Sequence, residues 1–373
     1  MFSCNEKISE KQIKRMMVLA VFAGIIFVLP YLSANMFGKS IILGLLLFFV
    51  LSGLYVLYII GIGEWYEKCR AINGKEGFIS IFKDSGLIGS TLSVVQLSRI
   101  VIRLAFYILL VMTILGEAQV PFMLKTKEEV WSNILVVLPF LLVGVYGANT
   151  RVEKQGRIHE MLFWFLFVPF IVTILFGLKE VDYQVFVPKV DMSFGKMLLH
   201  SYLLLVFVLP MENYLYLRPN LQKHKGTNGT APAVIVTIAL GVLITLFMLG
   251  IYGLNGAADE PMTTIAIMRY IRLPFGVLER FDVLMIWFLM VGCFVLICQT
   301  LYCAGHIFCS IWKKSSLVWV LLRVLLLSLV VVVVMRSYEN GLLTFLCYGA
   351  IVDVPLSILL PLLGIGMNKF YEE

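Results

Sequence analysis

Five charged side chains stand deep inside long apolar runs: Arg99, Arg103, Glu212, Arg323 and Asp353. Charge within hydrocarbon is costly and is ordinarily paired, functional or drawn to the surface. Arg99 and Arg103 are four residues apart, which puts them on one face of a helix. Glu212 lies about 24 Å below the start of its run at 1.5 Å per residue, a depth that the two arginines bracket. Three roles are open to its carboxylate: counter-charge of one arginine, contact with the ammonium of a ligand, or proton carrier. Arg99 has the further option of snorkelling to the inner surface. Arg323 and Asp353 lie about 20 and 18 Å below the outer ends of neighbouring runs by the same rise. They are expected to neutralise each other across that hairpin.

Two prolines mark a second feature. Phe27, Val28, Leu29 and Pro30 recur as Phe207, Val208, Leu209 and Pro210. Proline removes a backbone donor and clashes with the carbonyl four residues earlier, so each stretch is expected to interrupt its helix. The ends of a broken helix offer N–H groups to a carboxylate and carbonyls to an ammonium, and an amino acid carries both. Ordinary proline kinks are the plainer alternative. The predicted pocket is formed by Pro30, Ser33, Ala34 and Asn35 from one stretch and Pro210, Met211 and Glu212 from the other. Tyr107 and Gln299 are added from neighbouring runs.

Other chemistry is missing from the sequence. His159 and Glu160 begin no zinc-protease motif, because no second histidine follows at the required spacing. Gly61 and Gly63 lack a third glycine, and no phosphate-binding lysine loop occurs. No nucleophile has a base placed beside it, so an enzyme is not expected. The cysteines are Cys4, Cys69, Cys293, Cys298, Cys303, Cys309 and Cys347, without a C-x-x-C pair. They are read as buried thiols acting as small hydrophobes. Neither a metal nor a cofactor is expected.

The elements that position these groups follow from composition. Of the 373 residues, 60% are hydrophobic and 14% charged, and the mean hydropathy is +0.94. Soluble domains carry about 25% charge, so a soluble globular protein is excluded. Apolar runs of about 20 continuous residues point to membrane helices rather than barrel strands. Ten are read, over 17–36, 40–62, 92–115, 131–149, 159–178, 196–217, 231–254, 281–311, 316–335 and 341–365. The first, although preceded by Lys7, Lys11, Lys14 and Arg15, is too long for a signal segment and is read as a retained helix.

Of the 30 Lys and Arg residues, 17 fall in segments on the side of the N-terminus, 10 on the other side, with Lys196 at the edge of its run counted there, and three deep within runs. That bias places both termini in the cytoplasm. It also accounts for the net charge of +7 without nucleic acid, since no folded basic domain is left to bind one. The Phe-Val-Leu-Pro stretches open each set of five runs, and the two longest connections, 63–91 and 255–280, occupy equivalent places. An odd number of crossings per half inverts the second half, as in many secondary transporters. The expected fold is therefore an all-α polytopic membrane protein with an inverted 5+5 repeat and broken helices 1 and 6. Its divisions are a cytoplasmic 1–16, a first repeat over 17–178, an extracytoplasmic connector over 179–195, a second repeat over 196–365 and a cytoplasmic 366–373.

Several local patterns resemble one family. They are Lys7, Ile8 and Ser9 before the first run, and Gly156, Arg157 and Glu160 at the start of the fifth. Val185 to Pro188 precede the sixth run, and Leu217, Arg218 and Pro219 follow Glu212, with Lys223, His224 and Lys225 beyond. Leu278, Glu279, Arg280, Phe281 and Asp282 lead to Trp287 and Gly292, and Leu301 to Ala304 close the eighth run. The chain resembles the B subunit of the spore germinant receptor, a permease-like family of the amino acid–polyamine–organocation superfamily. It departs after Gly38, where Lys39, Ser40 and Ile41 replace an expected acid and tryptophan. The resemblance implies a ten-helix fold with a pocket for a small nutrient such as an amino acid. It also implies an A subunit and a lipoprotein C subunit as partners in the spore inner membrane. Two functions stay open, a sensor whose conformational equilibrium is read by partners and a transporter coupled to a cation. The absence of a clear Ser/Thr pair beside Gln299 and Thr300, and of a mid-membrane lysine in the fifth run, leans toward the sensor.

Overall fold

The computed structural model describes residues 7–73, 78, 86–117, 130–187, 190–222, 229–270, 281–311, 317–336 and 341–370. Pro188, Lys223 to Lys225 and Leu278 to Arg280, used in the resemblance above, lie outside them, as do both chain ends. Among the described residues regular structure is helical, apart from one isolated parallel bridge between Ile8 and Leu221.

The helices run α1 Glu10–Phe37, α2 Ile41–Asn73, α3 Gly86–Glu117, α4 Val130–Ala148, α5 Val152–Gly177, α6 Phe194–Leu204, α7 Asn213–Leu217, α8 Thr230–Tyr252, α9 Leu254–Asp259, α10 Thr263–Tyr270, α11 Phe281–Ile311, α12 Leu317–Arg336, α13 Gly341–Tyr348 and α14 Val354–Phe370. A 3₁₀ stretch, Leu205–Glu212, joins α6 to α7, and a π turn, Gly349–Asp353, joins α13 to α14. Each apolar run of the sequence falls on a helical stretch. Among the described residues, seven helical segments are long and apolar enough to cross a membrane. The first, Glu10–Lys68, has 59 residues, far more than a hydrocarbon core of about 30 Å needs. It turns at Gly38, whose φ of +50° suits a residue without a Cβ. Ile134–Ala148 and Leu317–Val333 are shorter apolar helices. The chain is a multi-pass membrane protein.

Burial follows the sequence. α1 is apolar on all sides after its first turns and lies inside, packed against α5, α8, α11 and the 3₁₀ stretch. It begins with a capping box, in which the Ser9 side chain accepts from the Gln12 N–H and the Gln12 side chain accepts from the Ser9 N–H. α5 lies at the periphery and turns Met161, Trp164, Phe165 and Leu175 outward. In a membrane protein that face meets lipid, which costs such residues nothing.

The segments assigned to one side by charge gather at one end of the bundle. Arg15 meets Glu160 at 2.6 Å, Arg218 meets Glu67 at 2.6 Å, and the Ile8 N–H donates to the Asn220 carbonyl at 2.9 Å. The opposite set meets at the other end. There Lys39 lies 3.7 Å from Asp191, and the Asn35 amide donates to the Ala258 carbonyl at 2.9 Å.

The two prolines behave differently, which corrects the expectation of two broken helices. α1 is helical straight through Pro30. Proline leaves the carbonyl of residue 26 without its donor. The Thr264 hydroxyl of α10, in the connection after α8, donates to that Ile26 oxygen at 2.7 Å. The lost bond is thus replaced from outside, and α1 has no need to open. In the sixth run the helix does change, to 3₁₀ over Leu205–Glu212 with Pro210 inside it. Here α1 comes against the stretch so closely that a Cβ on Gly24 would lie 2.6 Å from the Phe207 carbonyl oxygen.

Candidate functional site

The irregular segments carry the two buried carboxylates, and a regular helix carries the arginines that meet them. Arg99 and Arg103 project from α3, one turn apart. Glu212 ends the 3₁₀ stretch and Asp353 ends the π turn. The π turn arises where the Val354 N–H reaches back to the Gly349 carbonyl, adding one residue to the turn that carries Asp353. Glu212 and Asp353 are fully buried, and both arginines nearly so.

Arg99 Nε donates to Asp353 Oδ1 at 2.7 Å. Its Nη2 donates to Glu212 Oε2 at 3.0 Å and to the Asp353 carbonyl at 3.1 Å. Its Nη1 donates to Glu212 Oε1 at 3.2 Å and to the side-chain oxygen of Gln96. Arg103 Nε donates to Asp353 Oδ2 at 2.5 Å, and its Nη2 to Glu212 Oε2 at 2.6 Å and Asp353 Oδ1 at 2.7 Å. The Gln96 amide completes the set, donating to Glu212 Oε1 and to the Tyr216 hydroxyl, both at 2.9 Å. Two guanidinium groups and two carboxylates thus neutralise each other. They tie α3, the sixth run and the tenth run together in the interior. Removing one partner of such a pair leaves an uncompensated buried charge, at a cost of about 3–5 kcal/mol.

Of the roles open to Glu212, the structure places it as counter-charge to both arginines. Arg99 is held inside and does not snorkel. The expected pairing of Arg323 with Asp353 is wrong: Asp353 is occupied by Arg99 and Arg103, and Arg323 is exposed on α12. Equal depth gives two side chains one height but not one azimuth. α12 turns Arg323 outward with Trp319, Leu326 and Val330.

A small cavity adjoins the cluster. α3 contributes Arg103, Phe106, Tyr107 and Leu110. The 3₁₀ stretch contributes Val206, Phe207, Leu209 and Pro210, with Gly24 of α1 and Phe345 of α13 completing the wall. The space open to the centre of a water molecule is about 10 Å³, room for roughly one water. Phe106 and Phe345 stack at 3.8 Å between ring centroids and bound it on one side.

Of the nine residues read from sequence as pocket-forming, Tyr107 and Pro210 line this cavity. Met211 and Glu212 follow in the same 3₁₀ stretch, fully buried. Pro30 and Ala34 are buried in α1, and the Ser33 hydroxyl donates to the Pro30 carbonyl at 3.1 Å. Asn35 is exposed and bonds Tyr31 and Ala258. Gln299 sits elsewhere. Its amide donates to the Met16 carbonyl at 2.9 Å, 17 residues before Ser33 in α1, or about 25 Å along the axis. Gly24, Phe106, Leu110 and Phe345 were not read from the sequence as site residues. Apolar residues in an apolar helix carry no local sign of which face meets a cavity. Gln96 had a signal, being one turn before Arg99 on the same face.

Cys293, Cys298 and Cys303 are buried and free of disulfides, as read from the sequence, whereas Cys347 is exposed and departs from that reading; Cys303 packs its sulfur 3.3 Å from Asn213 Oδ1.

A family described as spore germination protein matches residues 7–340. No curated protein matches the chain. With nearly its whole length covered, the chain belongs to the spore germination protein family, and it is a permease-like membrane protein of germination.

Proposed function

Proceeding from that membership, we propose that the protein is the nutrient-sensing subunit of a spore germination receptor, binding a small germinant such as an amino acid within the membrane. The observation that carries the reading is the cavity beside the ion cluster. Its walls come from α1, α3, the sixth run and the tenth run, and three of these four are also joined through the cluster. A ligand that widens the cavity acts on the same segments that the ion pairs hold. Its binding energy then shifts the equilibrium between their arrangements. No nucleophile and base are needed for such a role, and none enters this proposal.

In this reading α1 and α2 are separate crossings, and the shorter helices α4 and α12 cross as well. The fold then has ten crossings in two inverted halves, 17–178 and 196–365, joined outside by 179–195. Both termini, 1–16 and 366–373, lie in the cytoplasm. The separation of ion pairs between the two ends of the bundle supports this alternation. The membrane is the cell or spore inner membrane, and an A subunit and a lipoprotein C subunit read the change.

The test is uptake of labelled amino acids into liposomes holding the purified protein, with and without proton or sodium gradients, beside the germination response of spores carrying Leu110→Trp. The proposal expects no gradient-driven accumulation and a lost response at unchanged protein level. Gradient-driven accumulation would make the protein a working transporter. An unaltered response with the cavity filled would remove the cavity from the account.

A further inference from the structure

We propose that the outward faces of α4 and α12 form a site for an anionic phospholipid, whose phosphate Arg323 holds at the end of the bundle where the N-terminal segment lies. The proposal goes beyond the sensing role. It takes from the reading above that α4 and α12 cross the membrane with this end in the cytoplasm.

Arg323 is the outlier among the charges in the apolar runs. Arg99, Arg103, Glu212 and Asp353 satisfy one another. Arg323 is exposed and, among the described residues, meets neither a carboxylate nor another hydrogen-bond partner. α12 packs against α3, α4 and α11, and Leu321, Val324, Leu325 and Ser328 are buried there. Its outward side carries Trp319, Arg323, Leu326 and Val330, spaced as one helical stripe. An arginine facing hydrocarbon is costly unless a group outside the chain pairs with it.

Its height selects that group. Gly305, near the end of α11, lies against Leu317, the first residue of α12. Tyr302, one turn earlier in α11, accepts from the Asn220 amide at 3.1 Å, and the Asn220 carbonyl holds Ile8. α12 therefore starts beside the N-terminal segment. α4 ends there too, since α5 follows it at Val152 and sets Gly156 against Gln12. Arg323 lies about 9 Å along α12 from its start at Leu317. Trp319 and, on α4, Tyr146 are exposed nearer that end, and such aromatic residues favour the headgroup level. The arginine stem carries its guanidinium toward the same level, where a phosphate accepts two parallel N–H bonds. The cytoplasmic leaflet supplies anionic lipid.

The make-up of the stripe chooses lipid over a protein helix. Membrane helices pair through small residues that let backbones approach. Trp319, Leu326 and Val330 are bulky, whereas Ser328 is buried, its hydroxyl donating to the Leu325 carbonyl at 2.7 Å. A lipid fastened here steadies α12 against α3, the helix that bears Arg99 and Arg103.

The experiment measures binding of phosphatidylglycerol and phosphatidylcholine to the full-length protein in detergent by native mass spectrometry. Phosphatidylglycerol is expected to bind the native chain about fivefold more tightly than Arg323→Gln, and phosphatidylcholine to bind both equally. Arg323→Lys, which keeps the charge, should recover most of the difference. Equal affinity of phosphatidylglycerol for the native chain and Arg323→Gln overturns the site. Inorganic phosphate at the same concentration should not displace the lipid, because it lacks the acyl chains; displacement would make free phosphate the ligand and overturn the proposal. Without lipid, Arg323→Gln should melt as the native chain does, and a lower melting temperature would make Arg323 a structural residue instead. A membrane protein that co-purifies with the native chain but not with Arg323→Gln, at equal lipid affinity, would seat a carboxylate-bearing helix on this face and overturn the lipid. In proteoliposomes a membrane-impermeant maleimide should leave Leu326→Cys unlabelled by peptide mapping. Labelling there overturns the crossing by α12, and this proposal with it, while the sensing role stands.

Discussion

Thr264→Val tests why α1 stays whole at Pro30. Valine matches threonine in shape but cannot donate. The substitution strands the Ile26 carbonyl, which Pro30 has already deprived of its helical partner and which the Thr264 hydroxyl meets at 2.7 Å. Both residues are fully buried. Leaving a buried acceptor unsatisfied costs about 1–3 kcal/mol. With an unfolding entropy of about 2.1 cal/mol/K per residue, that is about 1–4 °C of melting temperature for a chain of this size. The discriminating form of the test is a double-mutant cycle in detergent, with stability read from denaturant or thermal unfolding. Pro30→Ala restores an N–H to the Ile26 carbonyl, so in that background Thr264→Val should cost about a third or less of its cost beside Pro30. Equal costs in both backgrounds would refute the reasoning, because the hydroxyl would then not be replacing the bond that proline removes.

The ion cluster makes a second prediction. Asp353→Asn should lower yield and stability by about 3–5 kcal/mol, whereas Arg323→Gln should leave melting unchanged, and exchanging the two charges between 323 and 353 should rescue nothing. Recovery by that exchange would restore the pairing which the structure overturns. Gly24→Ala should destabilise by about 1–3 kcal/mol through overpacking, because its Cβ would meet backbone at 2.6 Å rather than a side chain able to turn away. A neutral result in thermal unfolding would mean that α1 and the 3₁₀ stretch separate freely.

What the sequence makes legible follows from what it encodes locally. Continuous apolar runs dictate helices wherever they occur, and each run is helical here. The i, i+4 spacing of Arg99 and Arg103 put both on one face, at the depth of Glu212, and that grouping is present. Depth alone pairs Asp353 with Arg323 rather than with Arg99 and Arg103, because depth along a helix says nothing of its rotation, and rotation is fixed by packing between distant segments. The difference between Pro30 and Pro210 was hidden for a related reason. The two four-residue stretches are identical, and what separates them is Thr264, more than 200 residues from Pro30 in the chain. Gln299, read from the sequence as a pocket residue, instead donates to the Met16 carbonyl, well along α1.

The central claim is that this membrane protein holds a small nutrient beside the buried cluster. Equilibrium dialysis of the purified full-length chain against a labelled mixture of the twenty amino acids addresses it most directly, repeated with Leu110→Trp to fill the cavity. The account predicts saturable retention of at least one amino acid by the native chain and loss of that retention in the variant, at native helical content and elution position. Retention of none by the native chain, or equal retention by both, would contradict it.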